Sequence, residues 1–197
     1  MLRSYTVADL FTIGNAACGT VTLFLCLNYI AGRGERYLWI AFVLLFFALV
    51  FDVLDGYWAR RSRRQSMLGA DLDSLADIVS FGVAPAVLGF TLGLRGGWDM
   101  LLLTYFVVCG ISRLARFNVT AASLTTDKGK VAYFEGTPIP TSLALVGVLA
   151  FAFSRDAIGD QLWGGQVVLL GGRMHLLTLM YLVSGSLMVS QVRIPKP

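Results

Sequence analysis

The chain has 197 residues, of which 56% are hydrophobic and 14% are charged, and its formal net charge is +4. Soluble domains carry about a quarter charged residues. This composition therefore excludes an ordinary soluble enzyme and predicts a single all-α membrane domain over residues 1–197. Membrane lipids are the expected surroundings, and no nucleic-acid partner is expected.

Six apolar segments follow one another along the chain, each near the roughly 20 residues that cross a bilayer as a helix. They are residues 10–30, 37–58, 67–94, 100–119, 138–153 and 174–190, of which the fifth is short. The N-terminal segment shows no small-residue cleavage pattern, so we expect it to be retained. Residues 161–172 are apolar but rich in glycine, and either an interfacial loop or the start of the sixth span is compatible with them. The sequence thus predicts a polytopic protein with six transmembrane helices.

The basic residues indicate how these helices cross the membrane. Six spans put both termini on one side, together with the loops at 59–67 and 113–137. Eleven of the sixteen Lys and Arg residues fall on that side. The positive-inside rule therefore predicts that both termini and both loops are cytoplasmic. We expect the protein to lie in the cytoplasmic (plasma) membrane.

Small residues recur along the third segment at steps of four and three, namely Gly82, Ala86, Gly89 and Gly93. Small residues at this spacing let helix backbones approach closely. Packing within the helix bundle explains the pattern, and a homodimer interface is the alternative.

An acidic stretch, residues 52–77, interrupts the apolar pattern and holds five of the twelve acidic residues. Carboxylates at the ends of membrane helices are costly and indicate function. At about 100° per residue, Asp52 and Asp55 share one helical stripe, and Asp73 and Asp77 share a stripe of the next helix. Two helices joined by a short basic turn can therefore direct four carboxylates into one gap, at the cytoplasmic face.

Four clustered carboxylates repel one another, and divalent cations relieve this repulsion. Oxygen ligands without His or Cys favour Mg²⁺ or Mn²⁺ over Zn²⁺. Asp71 points away from the gap and is not expected to take part. His175, the only histidine, lies elsewhere in the sequence and is interpreted as an incidental interfacial residue.

Small and basic residues accompany the acids. Gly56 and Ala59 leave room for a bulky ligand such as a nucleotide, and Arg60 is placed to pair with a phosphate. Ion or proton pathways in transporters also use intramembrane acids. Pathway acids tend to lie at different depths, whereas these cluster at one face. A phosphoryl-transfer site is therefore favoured, with a cation or proton transporter as the alternative.

The acidic stretch resembles the signature of the CDP-alcohol phosphotransferase family. The pattern Asp52-x2-Asp55-Gly56-x2-Ala59-Arg60-x8-Gly69-x3-Asp73-x3-Asp77 matches all eight fixed positions. The resemblance implies that the four aspartates bind two divalent cations, which hold the diphosphate of a CDP-linked donor. It also implies that Asp77 is the general base for the acceptor hydroxyl.

The donor-binding residues expected from the resemblance and from the helical stripes are Gly56, Ala59, Arg60, Gly69 and Ser80. Asn15, a polar residue within the first span, is a further candidate for contact with the nucleotide. An interhelical hydrogen bond is an equal alternative for Asn15. No Ser, Cys or His lies among the motif residues as an obvious nucleophile, so direct displacement at phosphorus is expected, with no covalent intermediate.

Four further stretches resemble the phosphatidylserine synthase branch of this family: LDSLADIVSFGVAPA at 72–86, RLARFN at 113–118, FEGTPIP at 134–140 and the C-terminal MVSQVRIP. This resemblance implies transfer of phosphatidyl from CDP-diacylglycerol to L-serine, releasing CMP. Glycerol 3-phosphate or inositol phosphate as acceptor, and an ether-linked archaeal donor, remain alternatives.

The zwitterionic acceptor needs charged partners in the protein. Arg113 and Arg116 lie three residues apart on one helical face and could bind the serine carboxylate. Asn118 adds a neutral donor and acceptor, and Glu135 could meet the serine ammonium. Binding of lipid phosphate is the alternative for the two arginines.

Overall fold

The structure, a computed structural model, describes residues 7–62, 67–124, 133–190 and 193–195, and it is mostly helical. The α-helices within these ranges are α1 (Val7–Ile30), α2 (Arg36–Ser62), α3 (Met67–Asp77), α4 (Ala84–Leu92), α5 (Gly97–Leu124), α6 (Leu143–Ser154) and α7 (Leu179–Val189). A π-helix, Ile78–Val83, lies between α3 and α4. Among the cations used for the predicted orientation, Arg3, Arg63, Arg64, Lys128, Lys130 and Lys196 lie outside the described residues.

Within the described ranges, four helices are long and apolar enough to cross a membrane: Val7–Ile30, Arg36–Ala59, Gly69–Leu92 and Gly97–Val119. They correspond to the first four predicted segments. The predicted fifth and sixth segments form shorter apolar helices, Ile139–Ser154 and Leu176–Val189. The six-span count and the orientation of the termini therefore stay predictions.

The chain divides into two compact units, Met1–Ala84 and Pro85–Pro197. In the first unit, α1 packs against α2, α3 and the π-helix. Gly19 on α1 permits close approach of the π-helix, because a Cβ at this position would lie 2.8 Å from the Cα of Ser80. The described part of this unit thus brings the first span against both helices that carry the acidic stretch.

In the second unit, α5 packs against α7. The rings of Phe106 and Tyr181 meet edge to face, with centroids 5.2 Å apart. The Tyr181 hydroxyl donates a hydrogen bond of 2.7 Å to the carbonyl of Pro85.

A Cβ at Gly89 would lie 2.6 Å from the Tyr181 hydroxyl oxygen, and one at Gly93 would lie 2.6 Å from the Cα of Gly159. At these two positions, the small residues of the third segment pack within the chain, and the homodimer remains a prediction.

In the part of the chain that the structure describes, four short strands depart from the all-helical prediction. Strand β1 (Tyr133–Glu135) pairs antiparallel with β4 (Arg193–Pro195), and β2 (Gln166–Leu169) pairs antiparallel with β3 (Gly172–His175). The second pair lies in the segment at 161–172 that the sequence left open. That segment does not begin the sixth span. Glycines at positive φ, including Gly165 (71°) and Gly171 (79°), end the strands there and favour a hairpin over a helix.

The prediction that His175 is incidental is wrong. His175 is 4% exposed, and its Nδ1 lies 2.6 Å from a carboxylate oxygen of Asp99, a residue of the first turn of α5. The same carboxylate accepts hydrogen bonds from the His175 backbone N–H (2.9 Å), the Thr178 hydroxyl (2.6 Å) and the Gly96 backbone N–H (2.8 Å). This network ties the end of β3 to the start of α5.

Candidate metal and donor site

Three of the four predicted ligands come together in the first unit. Asp52 and Asp55 lie near the end of α2, and Asp73 lies on α3. Each offers a carboxylate oxygen, and these oxygens all lie within 4.8 Å of one another. Asp55 is buried, and Asp52 and Asp73 are half-buried. This cluster of oxygen donors, without His or Cys, suits a hard divalent cation.

Asp77 ends α3 and lies beside this cluster. Its side chain is 7% exposed. The Asp77 carboxyl group is close enough to those of Asp52, Asp55 and Asp73 to interact with each of them electrostatically. Asp71, by contrast, is exposed, as the helical spacing predicts. Four of the five aspartates of the acidic stretch therefore lie together, and Asp71 lies apart from them.

The exposure pattern of α2 follows the predicted stripe. Asp52, Gly56 and Ala59 are half-buried, whereas the intervening Val53 and Tyr57 are each more than half exposed. Gly69, at the start of α3, is also half-buried. Arg60 lies on α2, but its side chain is outside the described residues. The small residues predicted for a nucleotide therefore lie on the same face as the acids.

Helix α1 supplies contacts to the aspartates. The Asn15 amide nitrogen donates a hydrogen bond of 3.1 Å to Asp77. The backbone carbonyl oxygen of Asn15 accepts a hydrogen bond of 2.8 Å from the hydroxyl of Ser80. Asn15 and Ser80 are both fully buried. Asn15 thus makes the interhelical hydrogen bond that the sequence left as an alternative, and the partner of its amide is the predicted base.

The Thr12 hydroxyl donates a hydrogen bond of 2.9 Å to Asp55, and the Ala8 carbonyl is a second acceptor at 3.2 Å. Sequence reasoning missed Thr12. A signal was present, because buried polar residues recur on α1 at helical spacing: Asp9, Thr12, Asn15 and Thr22. In a helix otherwise suited to lipid, such a stripe indicates contact with polar groups on neighbouring helices.

The predicted acceptor-binding residues belong to the second unit. Arg113, Arg116 and Asn118 lie on α5, where Arg116 is exposed and the other two are half-buried. Glu135 lies on β1 with its Cα opposite that of Arg193, and its side chain is outside the described residues. The assignment of these four residues to an acceptor site stays a prediction.

The four apolar helices indicate an integral membrane protein. Its carboxylate cluster lies near the end of the second span and the start of the third. The sequence profile of the CDP-alcohol phosphatidyltransferases matches residues 5–187. The chain belongs to the CDP-alcohol phosphatidyltransferase family, as the signature predicts. Membership of this family disfavours the alternative that the protein is a transporter whose aspartates conduct cations or protons.

Individual relatives support the same family. The chain is 40% identical over 205 residues to a CDP-diacylglycerol–serine O-phosphatidyltransferase of Saccharomyces cerevisiae, covering 100% of this chain and 73% of that protein. A protein of the same name in Bacillus subtilis is 31% identical over 147 residues, or 74% of this chain and 75% of the relative. An archaetidylserine synthase of Methanothermobacter thermautotrophicus is 36% identical over 141 residues, or 70% of this chain and 54% of the relative.

Proposed function

We propose that this chain transfers the phosphatidyl group from CDP-diacylglycerol to L-serine, giving phosphatidylserine and CMP. The observation that carries the proposal is the cluster of Asp52, Asp55 and Asp73 oxygens within 4.8 Å, on helices that hold the complete family signature. The names of the yeast and Bacillus relatives support serine as the acceptor.

The residues present fit a pair of divalent cations. Asp52, Asp55, Asp73 and Asp77 offer eight carboxylate oxygens, and Mg²⁺ and Mn²⁺ both accept such ligands. Bound cations would neutralise charge on the donor diphosphate and stabilise CMP as it leaves. The half-buried position of Asp52 and Asp73 leaves this face of the cluster open to a ligand.

Asp77 is proposed as the general base. A serine hydroxyl holds its proton tightly at neutral pH, so a nearby carboxylate must accept that proton as the new bond forms. The serine oxygen attacks the phosphorus that carries diacylglycerol, and the bond from that phosphorus to the CMP oxygen breaks. Asn15 donates a hydrogen bond of 3.1 Å to one oxygen of Asp77 and thereby orients the carboxylate that would accept the proton.

The donor and acceptor are proposed to contact different groups of residues. Gly56, Ala59 and Gly69 would line the cytidine and phosphate side, with Arg60 pairing with phosphate. Ser80 and Asn15 support this side through the hydrogen bond that joins them. For the acceptor, Arg113 and Arg116 would bind the serine carboxylate, with Asn118 and Glu135 as further contacts.

The remaining proposals concern topology and assembly. The apolar segments support six spans, and the asymmetry of the basic residues supports cytoplasmic termini and a site that faces the cytoplasm. The plasma membrane is the proposed location, and a homodimer the proposed assembly. Reporter fusions at the C-terminus and after Ile30 should report opposite sides of the membrane, and chemical cross-linking in membranes tests the dimer.

The deciding experiment measures CMP release from CDP-diacylglycerol by the purified chain with Mg²⁺ or Mn²⁺. The acceptors are L-serine, glycerol 3-phosphate and inositol phosphate, supplied in separate reactions. Release that depends on serine supports the proposal, whereas release with a phosphorylated acceptor alone would reassign the acceptor and retain the metal site. Absence of release with every acceptor, from folded protein that binds CDP, would contradict the proposed donor.

A second candidate changes only the donor lipid. The relative named archaetidylserine synthase favours testing an ether-linked archaeal CDP-lipid beside CDP-diacylglycerol. The lipid tails meet apolar surface, which distinguishes ester from ether linkages poorly. A preference in kcat/KM between the two donors, measured with serine as the acceptor, decides between them.

A further inference from the structure

The hairpin formed by β2 and β3 exposes apolar side chains in the second unit. Val168 is 69% exposed and Leu170 is 90% exposed, and their neighbours Val167 and Leu169 are also exposed. Four consecutive exposed apolar residues on a short hairpin indicate a surface that is covered by another apolar medium.

The turn of this hairpin makes Leu170 an unusual choice of residue. Leu169 pairs with Gly172, so Leu170 and Gly171 are the two central residues of the turn. Their φ angles are 51° and 79°, as in a type I′ turn. Asn, Asp or Gly suits such a position, whereas a bulky residue at positive φ is strained. Neither turn geometry nor packing within the described residues explains this leucine.

The hairpin is fixed at the end of a membrane helix. Trp98, in the first turn of α5, donates a hydrogen bond of 2.9 Å from its ring nitrogen to the carbonyl of Leu169. Asp99, the next residue, holds the end of β3 through the backbone and ring of His175. The apolar stretch of α5 begins at Gly97, so these contacts place the hairpin at a membrane boundary.

The unpaired strand edges and the charge of the hairpin favour a position at the lipid head groups over one in the hydrocarbon interior. The two strands pair with each other, and no further strand among the described residues covers their outer edges. Unpaired backbone groups are not tolerated in hydrocarbon but are satisfied among head groups and water. Arg173 lies opposite Val168 in the register, on the same face, and is exposed. A guanidinium beside an apolar tip suits a phospholipid phosphate above acyl chains.

We propose that the β2–β3 hairpin is a lipid anchor that inserts Val168, Leu169 and Leu170 at the head-group boundary of the leaflet where α5 begins, with Arg173 on lipid phosphate. In the proposed topology this leaflet is the non-cytoplasmic one. The anchor does not depend on which alcohol the enzyme uses.

The test attaches a nitroxide to Leu170→Cys and, as the control, to Gln161→Cys, an exposed polar position in the same loop. The three native cysteines are buried, and labelling of the unmutated chain gives their background. In phospholipid nanodiscs, the nitroxide at 170 should collide with oxygen severalfold more often, relative to a water-soluble nickel chelate, than the nitroxide at 161. Equal ratios at the two positions would place the tip in water and overturn the proposal. Spectral broadening at 170 that disappears on dilution with unlabelled chain would instead identify a second copy as the occupant.

A second variant tests the same proposal without attaching an apolar nitroxide at position 170. In Leu170→Asn, the new residue suits positive φ better than Leu does. If Leu170 is free in water, amide hydrogen exchange of the hairpin in nanodiscs should stay the same or slow down. If Leu170 inserts in lipid, exchange should become severalfold faster, because the anchor is lost. CMP-forming activity serves as the control for folding of the rest of the chain.

Discussion

Thr12 and Asp55 are joined by a hydrogen bond of 2.9 Å although they lie 43 residues apart in sequence. The bond connects the first span to a carboxylate of the proposed metal site. Since Asp55 is 7% exposed, little water is available to replace Thr12 as a donor. Thr12 is therefore a positioning residue for Asp55, one of the proposed metal ligands.

Replacing Thr12 by Val should weaken metal binding while preserving side-chain shape. Loss of a group that orients a metal ligand typically costs about 10–100-fold in metal affinity or activity. The Mg²⁺ concentration for half-maximal CMP release should rise by about 10-fold, the lower end of that range. Thr12→Ser, which keeps the hydroxyl, should restore the normal concentration.

The matched control for Thr12 is Thr20→Val. Thr20 lies on the same helix, is exposed, and donates to the carbonyl of Ala16. This variant should keep the normal Mg²⁺ requirement. If Thr12→Val lowered activity without changing that requirement, a role in orienting a metal ligand would be incorrect.

Asp77→Asn should remove turnover and retain donor binding. The amide cannot accept the serine proton, and general-base catalysis contributes about 10²–10⁴-fold in rate. CMP release should fall by about that factor, whereas CDP-diacylglycerol binding, measured calorimetrically, should remain detectable. Asp71→Asn, at an exposed position on the same helix, is the control and should turn over normally. Normal turnover by Asp77→Asn would remove the base assignment.

Arg116→Ala should raise the KM for serine more than the KM for the CDP-lipid. The proposed pairing of the guanidinium with the serine carboxylate is a charge-assisted contact, and such contacts contribute about 1.5–3 kcal/mol. A rise in serine KM of about 10-fold is expected from the lower part of that range. Arg155→Ala, at an exposed position after α6, should change neither KM. Equal changes in both KM values for Arg116→Ala would assign this residue to the donor or to folding.

Gly19→Ala should destabilise the chain. Its Cβ would lie 2.8 Å from Cα and 3.0 Å from the backbone nitrogen of Ser80, and neither atom can move without shifting a helix. Overpacking of this kind costs about 1–3 kcal/mol, so the Tm in detergent should fall. Activity should fall as well, because the displaced helix also carries Thr12 and Asn15.

Gly147→Ala is the control for Gly19→Ala. A Cβ at Gly147, within α6, would have no neighbour within 4 Å. Because Ala favours a helix over Gly by about 1 kcal/mol, the Tm of this variant should stay the same or rise. An unchanged Tm for Gly19→Ala would show that the two helices can separate at no cost.

Local sequence patterns predicted the parts of the molecule that depend on spacing within one segment. The first four spans follow from apolar runs, and the grouping of Asp52, Asp55 and Asp73 follows from helical periodicity. Thr12 was missed because its partner lies on a different helix. His175 was misread for the same reason, since Asp99 precedes it by 76 residues. Pairing between distant segments is set by packing, which periodicity does not encode.

The hairpin at 166–175 escaped prediction for a different reason. Its strands have four residues each, too few for an alternating pattern to stand out from an apolar helix. The glycines in the segment were visible, but their positive φ angles, which end the strands, were not.

The π-helix after Asp77 has a consequence for chain length. A π-helical turn accommodates about one residue more than an α-helical turn, so the residues after it are out of phase with those before it. Six residues of this π-helix turn the chain about as far as five residues of an α-helix would. Loss of one residue from Ile78–Val83 would therefore let this segment become regular α-helix while Asp77 keeps its direction about the helix axis relative to Ala84. The same loss within α3 would turn the aspartates that precede it by about 100°. A single-residue deletion should therefore be tolerated better in the π-helix than in α3.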